Sequence, residues 1–211
     1  MKLQDRTDSN EQGARCRTTR SKGRASSSEV GSVSFEQCAT AHFADTWQVV
    51  PQQHRPSTGR FYELPSRFSV LEFQRKRTWC YATVGMSAGE PDGIETFIVT
   101  PGQNLRAVEF LYYLTHFHLT GARLDLGHTV NFGEELWDGS GLDHGFLSFP
   151  YVEEPGFESF DCENGRTNVA WLIPITSAER DYKKEHGVEA LEALFEEYSL
   201  NYLNPSRASL V

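Results

Sequence analysis

The sequence predicts an α+β fold, a single domain in which a β-sheet packs against helices. Apolar segments in residues 68–73, 79–84 and 94–100 predict three consecutive strands of an antiparallel meander. Residues 169–175 form an apolar run with β-branched and aromatic side chains, as expected of a strand covered on both faces. Apolar residues at helical spacing follow this strand up to residue 198 and predict two helices. These patterns together favour strands and helices in one core.

Two regions of different composition divide the chain. Residues 1–33 are rich in Ser, Thr, Arg and Gly and contain almost no large apolar side chains, so we predict a disordered basic tail. This tail is either a basic arm with a function or an upstream extension of the chain. Residues 34–211 contain the apolar segments and form the predicted domain.

Two further helices are predicted before the buried strand. Apolar residues at helical spacing predict a first helix over residues 35–47, which ends before Pro51. Asn104 is a suitable cap for a second helix over residues 105–119, and Gly121 ends it. The apolar residues of this second helix cover so much of its circumference that we expect it to be largely buried.

The segment around the buried strand carries the strongest local signals. Residues 145–150 and 157–162 predict two short strands, and the Asn164-Gly165 pair predicts a hairpin turn into the buried strand. Thr176 followed three residues later by Glu179 matches a capping box, which predicts a helix start there. Strand, helix, turn and helix therefore follow each other without a linker.

The charge distribution indicates the kind of partner. The formal net charge is −9 at pH 7. Residues 1–28 hold seven basic and three acidic residues, a net +4, so the remaining residues carry −13. Because affinity for nucleic acid backbone comes from basic side chains, we expect no nucleic acid binding by this domain. Its acidity suits a basic protein partner.

Cysteine spacing and hydropathy indicate a cytoplasmic protein. Cys16, Cys38, Cys80 and Cys162 lie far apart and form no C-x-x-C pair, so their spacing signals neither a zinc site nor a disulfide framework. Reduced thiols in a cytoplasm are the expected state. No apolar run approaches the ~18 residues that a membrane-spanning helix needs, so we predict no membrane interaction.

Residues 126–145 form the least regular segment, dense in Gly and polar side chains. Loops of this length in a compact domain are usually functional or mobile. We predict a partner-binding patch in which acidic residues surround an aromatic anchor, since aromatic side chains flanked by charge are typical of interfaces. Its residues are Glu134, Glu135, Trp137, Asp138 and Asp143. The alternative is that Trp137 fills the core while the acids keep the surface soluble.

The histidines do not match a metal-binding pattern. Four histidines lie in or near the irregular segment, His116, His118, His128 and His144. Their spacing fits neither H-E-x-x-H nor H-x₃₋₅-H. His116 and His118 are two positions apart on the predicted helix and therefore diverge. We predict no metal and no cofactor.

Catalytic motifs are also missing from the sequence. Ser140, Asp143 and His144 have the residue types of a nucleophilic triad, but no G-x-S-x-G elbow is present. We therefore assign no catalytic residue. A hydrolase or metal-dependent enzyme that uses the histidine- and acid-rich residues 126–145 stays as the alternative class.

Four ordered motifs resemble one family. They are WCYATVGMS at residues 79–87, LGHTVNF at 126–132, WLIPITSAE at 171–179 and YKKEHG at 182–187. On these motifs the chain resembles the bacterial suppressor-of-fused domain family, from about residue 35 to residue 211. The resemblance implies a single α+β domain with an antiparallel or mixed sheet packed with helices, and no known enzymatic chemistry.

The resemblance also implies a function in binding. Animal relatives are similar to the N-terminal part of a scaffold that sequesters a transcription factor, and bacterial relatives commonly resemble immunity proteins that neutralise a cognate polymorphic toxin. We therefore expect a cytoplasmic, non-catalytic protein-binding domain, an immunity protein that masks a basic toxin domain. The sequence does not predict its oligomeric state or which toxin it meets.

Overall fold

The computed structural model of the chain describes residues 33–56, 63–87, 89–163 and 165–211. The predicted tail, residues 1–33, lies outside the described residues apart from Val33. Its disorder therefore stays a prediction.

The described residues contain four α-helices, and their bounds agree with the predicted ones. They are α1 (Phe35–Trp47), α2 (Leu105–Thr120), α3 (Ser177–His186) and α4 (Val188–Glu197). The side chain of Asn104 accepts a hydrogen bond from the backbone N–H of Arg106 and so caps α2. Thr176 and Glu179 form the predicted capping box at α3. No helix in these described ranges is long and apolar enough to cross a lipid bilayer.

Eight strands of the described residues form one mixed sheet, as the fold class predicted. They are β1 (Gln52–His54), β2 (Ser69–Gln74), β3 (Trp79–Val84), β4 (Gly93–Thr100), β5 (Thr129–Asn131), β6 (His144–Ser148), β7 (Ser159–Cys162) and β8 (Gly165–Ile175). The order across the sheet is β1-β2-β3-β4-β8-β6-β5, and β7 also pairs with β8. Among these strands only β4 and β8 run parallel. The others pair antiparallel, including the meander β2-β3-β4.

Strand β8 is the predicted buried strand, and three strands pair with it. Its first residues pair with β7 across the predicted hairpin, in the register Ser159 to Asn168. Its last residues pair with β6, where Pro174 lies opposite Gly145. The other edge pairs with β4, in the register Phe97 to Trp171. Strand β8 is therefore an interior strand of the sheet, with both edges paired.

The sheet separates two apolar cores, so the domain has three layers. Successive side chains of a strand point to opposite faces. Val169, Trp171 and Ile173 contribute to one core with side chains of α1 and α4. Ala170 and Leu172 contribute to the other core with the buried face of α2.

Two short strands, β1 and β5, were not predicted. Residues 52–54 of β1 are exposed or half-buried, and only the central residue of β5 is buried. Three residues at a sheet edge carry too little apolar periodicity to indicate a strand. As a result, residues 126–145 are more regular than the sequence suggested, because they include β5 and the start of β6.

Trp171 provides a test of the buried strand. Its side chain is 5% exposed and its ring packs edge-on against Tyr202 at a centroid distance of 5.0 Å. We expect Trp171→Ala to lower the free energy of unfolding by ~3–5 kcal/mol because it leaves a large cavity. The thermal midpoint should fall by roughly 10 °C. The control is Tyr151→Ala at a side chain that is 67% exposed, which should shift the midpoint by less than about 2 °C. Equal midpoints for the two variants would contradict the assignment of β8.

Candidate protein-interaction site

The loop between β5 and β6 is held by its own hydrogen bonds. The backbone N–H of Phe132 donates to the carbonyl oxygen of Asp143, and that of Leu136 donates to the carbonyl oxygen of Leu142, both at 3.0 Å. Gly139 and Gly141 have φ angles of +77° and +70°. Side chains with a Cβ rarely adopt such angles, so these glycines allow the chain to reverse. The loop therefore has a defined shape.

Glu135 stabilises this shape from inside the loop. Its carboxylate oxygens accept hydrogen bonds from the backbone N–H groups of Ser140 and Gly141, each at 3.0 Å. The residue is half-buried. The carboxylate of Glu135, one of the five predicted patch residues, is therefore bound to the backbone of its own loop.

The loop between β5 and β6 is hydrogen-bonded to the start of α2. The guanidinium of Arg106 donates through Nη1 to the carbonyl oxygen of Glu135 at 2.8 Å and to the carboxylate of Asp138 at 2.7 Å. The side-chain amide of Asn104 donates to the carbonyl oxygen of Leu136 at 3.1 Å. The start of one helix therefore fixes the position of the loop.

Trp137 is half-buried. The sequence left open whether it is an exposed interface anchor or a core side chain, and the structure places it between the two. Its side chain packs against the core on the α2 side of the sheet. Beside it in the loop, Leu136 and Leu142 are 1% and 2% exposed. Leu136 and Leu142 therefore fill the core, and part of the Trp137 ring reaches solvent.

Exposed carboxylates surround Arg106 at the outer side of the loop. Glu134 is exposed, and the side chain of Asp138 is 91% exposed although it pairs with Arg106. Glu109, one turn along α2, is exposed as well. The hydrogen bond that Arg106 donates to Asp138, together with the charges of Asp138, Glu134 and Glu109, raises the pKa of Arg106. We call Glu109, Glu134 and Asp138 the acidic face. The sequence did not indicate Glu109, because it lies far from the loop along the chain.

The residues of the suspected triad do not assemble into one. Asp143 and His144 meet, with Oδ1 and Nδ1 at 2.7 Å. The other ring nitrogen of His144, Nε2, is buried without a hydrogen-bond partner in the described part of the chain. The hydroxyl of Ser140 instead accepts a hydrogen bond from the backbone N–H of Leu142 at 3.1 Å. Asp143 is thus bound to His144, and this nitrogen of His144 is closed to solvent.

The histidines of α2 diverge, as predicted. His118 is buried and its Nδ1 accepts a hydrogen bond from the backbone N–H of Leu124 at 2.9 Å. Burial, with a smaller contribution from Arg123, lowers the pKa of His118. His116 lies toward Glu63 at the surface. Within the described ranges, no three His, Cys, Asp or Glu side chains are grouped so that they could hold a metal ion.

A groove lies at the turn between β2 and β3. Its volume is about 590 Å³, and its basic residues are Arg75, Lys76 and Arg77. Arg75 pairs with Glu153 at 2.7 Å and lies 5.9 Å from the ring centroid of Trp47. The groove therefore carries positive charge, opposite in sign to the acidic face. Glu153 neutralises part of this charge by its ion pair with Arg75.

Comparison with known proteins identifies the family. The family described as Suppressor of fused protein (SUFU) matches residues 65–208, which include all four motifs in full and the whole acidic face. The chain belongs to the suppressor of fused family. A comparison with curated proteins gives no match.

Solved structures of this family have the same fold. A SUFU homologue from Neisseria gonorrhoeae FA 1090 is 28% identical, with a TM-score of 0.74 over 84% of this chain and 97% of that one. Drosophila Suppressor of Fused is 11% identical, with a TM-score of 0.67 over 85% of this chain and 52% of the fly protein. A chain of the Sufu–Fu complex is also 11% identical, with a TM-score of 0.66 over 85% of this chain and 93% of that one. At 11% identity the likeness shows the fold alone. The family and the fold predicted from the sequence are both confirmed.

Hydrogen exchange can test the role of Glu135 in the loop. Glu135→Ala removes the acceptor of the Ser140 and Gly141 amides, so we expect these amides to exchange about fivefold faster, as for a loss of roughly 1 kcal/mol. Glu134→Ala is the matched control, because its side chain is exposed and no described residue bonds to it. Unchanged exchange at residues 140 and 141 in Glu135→Ala would contradict the described geometry.

Proposed function

We propose that this chain is a non-catalytic protein-binding domain and that its partner docks on the acidic face. The observation that carries the proposal is the arrangement of the exposed carboxylates of Glu109, Glu134 and Asp138 around Arg106, where a loop with a half-buried tryptophan is fixed to the start of α2. Binding residues are disproportionately found on loops that a rigid scaffold positions. A half-buried aromatic ring among charges is typical of interface anchors.

Electrostatics favours a basic partner. The exposed carboxylates of Glu134 and Glu109 create a negative potential at the surface. Arg106 neutralises part of the charge of Asp138 by pairing with it. Residues outside the basic N-terminal segment carry −13, so the acidic face adds to a field of the same sign. Such a field steers a positively charged protein and speeds its association at low salt.

The more specific form of the proposal is an immunity protein. Its partner is a cognate polymorphic toxin with a basic active-site cleft, and the acidic face masks that cleft in the cytoplasm. Support comes from the resemblance to bacterial members of the family and from the charge complementarity. The structure of the Sufu–Fu complex supports the general proposal, because in that complex a chain with this fold is named together with a second protein, Fu.

An enzyme that uses residues 126–145 is the alternative. The Asp143–His144 pair has the contact that orients a catalytic histidine, with 2.7 Å between Oδ1 and Nδ1. A general base must, however, reach the proton that it takes from a substrate group. His144 Nε2 is buried and Ser140 bonds to a backbone amide, so this pair supports a structural role better than catalysis.

Charge reversal tests the acidic face. The probe is the toxin catalytic domain that the proposed role places in a neighbouring gene, and its association rate is measured at low and at moderate salt. For Glu134→Lys and Asp138→Lys we expect association about tenfold slower at low salt and a weaker salt dependence, because steering depends on the local potential. Glu135→Lys is unsuitable, since Glu135 binds two amides of the loop.

A matched control separates local from overall charge. Glu197→Lys changes the net charge equally at an exposed position of α4, on the other side of the sheet. It should associate like the wild type. Equal slowing in all three variants would contradict docking at the acidic face. A neighbouring gene that encodes a metabolic enzyme, and whose product does not bind, would contradict the immunity role.

A further inference from the structure

Two cysteines that are distant in the sequence meet where α1 packs on β7. Phe35, Cys38 and His42 recur at helical spacing and share one face of α1. The rings of Phe35 and His42 contact that of Phe160 in β7 at centroid distances of 5.9 and 4.9 Å. Cys162 follows Phe160 by two positions in the same strand, so its side chain points to the same face of the sheet. Cys38 on the helix therefore faces Cys162 on the strand.

The environment of the two thiols agrees with this placement. Both residues are half-buried and pack against the same core. Burial, and a hydrogen bond with the Cys38 thiol, raise the pKa of Cys162 to about 12. Both cysteines are free thiols. The spacing of cysteines along the sequence gave no sign of this pair, since it arises from the packing of a helix on a hairpin.

We propose that Cys38 and Cys162 form a reversible disulfide, a modification site that ties the first helix of the domain to the β7–β8 hairpin. The oxidant is a small disulfide such as oxidised glutathione. Cys38 loses its proton to solvent and its thiolate attacks one sulfur of the oxidant, which releases one glutathione thiolate and leaves a mixed disulfide. Cys162 then loses its proton and attacks the Cys38 sulfur, which releases the second glutathione. Two protein thiols are oxidised to one disulfide, and one oxidised glutathione is reduced to two glutathiones.

The order of the two steps follows from the surroundings. The thiol of Cys162 holds its proton, so it is the poorer nucleophile for the first attack. Once Cys38 is part of a mixed disulfide it no longer carries the charge that helps to raise the pKa of Cys162. The second thiol therefore becomes easier to ionise when its target is in place. Because the bond would close a long loop, it should stabilise the folded chain by restricting the unfolded one.

The test uses the full chain with Cys16→Ser, so that Cys38, Cys80 and Cys162 remain. The folded protein is equilibrated with mixtures of reduced and oxidised glutathione, alkylated and digested, and the peptides are identified by mass spectrometry. We expect a Cys38–Cys162 cross-link within one molecule that dithiothreitol reverses. The thermal midpoint should be higher in the oxidised form than in the reduced form. Cys80 is an internal control, because it is fully buried and should stay a free thiol.

Two variants make the result specific. Cys38→Ser and Cys162→Ser should each lose the cross-link and the rise in midpoint, and circular dichroism shows whether they fold. The proposal is overturned if both thiols stay free in mixtures that oxidise the denatured chain. It is equally overturned if each cysteine holds glutathione separately, or if cross-links form only between molecules. None of these results bears on the acidic face, which lies on other elements.

Discussion

The structure depends on a carboxylate buried in the middle of the sheet. Glu95 of β4 is 0% exposed. Burial raises its pKa, and five hydrogen-bond donors offset only part of that effect. The donors are the hydroxyls of Thr83 and Ser87 and the backbone N–H groups of Gly85, Met86 and Ser87, at 2.6 to 3.2 Å. The Gly-Met-Ser end of the first family motif thus wraps around one side chain. These hydrogen bonds hold the chain that follows β3 against β4. Strands β2 and β8 pair with the free edges of this strand pair.

The candidate site is linked to the same pair of strands. Tyr81 of β3 is fully buried, and its hydroxyl accepts a hydrogen bond from the backbone N–H of Asn104 at 2.7 Å. Asn104 caps α2 and donates to the carbonyl oxygen of Leu136, and Arg106 donates to Glu135 and Asp138. A continuous set of hydrogen bonds therefore runs from the sheet to the loop. A loop held in this way presents its exposed carboxylates with little loss of conformational entropy on binding, which favours recognition.

The sequence predicted what depends on periodicity and caps, and it missed what depends on tertiary packing. Six of the eight described strands, the four helices and the capping box of Thr176 and Glu179 follow from local patterns. The same Glu179 is completely buried and binds both terminal nitrogens of Arg207, at 2.6 and 2.7 Å. No local pattern predicts this ion pair, because its partners come from different segments. Likewise, Glu109 joins the acidic face through the path of α2, and Glu135 turns inward to its own loop.

We propose that the loop between β5 and β6, with the first turn of α2, is the surface that meets the partner. Hydrogen exchange of the chain, alone and in complex with the toxin catalytic domain that the proposed role places in a neighbouring gene, tests this proposal most directly. We predict slower exchange on binding in residues 133–142 and 105–109, and unchanged exchange in the turn at residues 74–79. Protection confined to that turn and the basic groove, or to the exposed end of α2 near Phe117, would contradict the account.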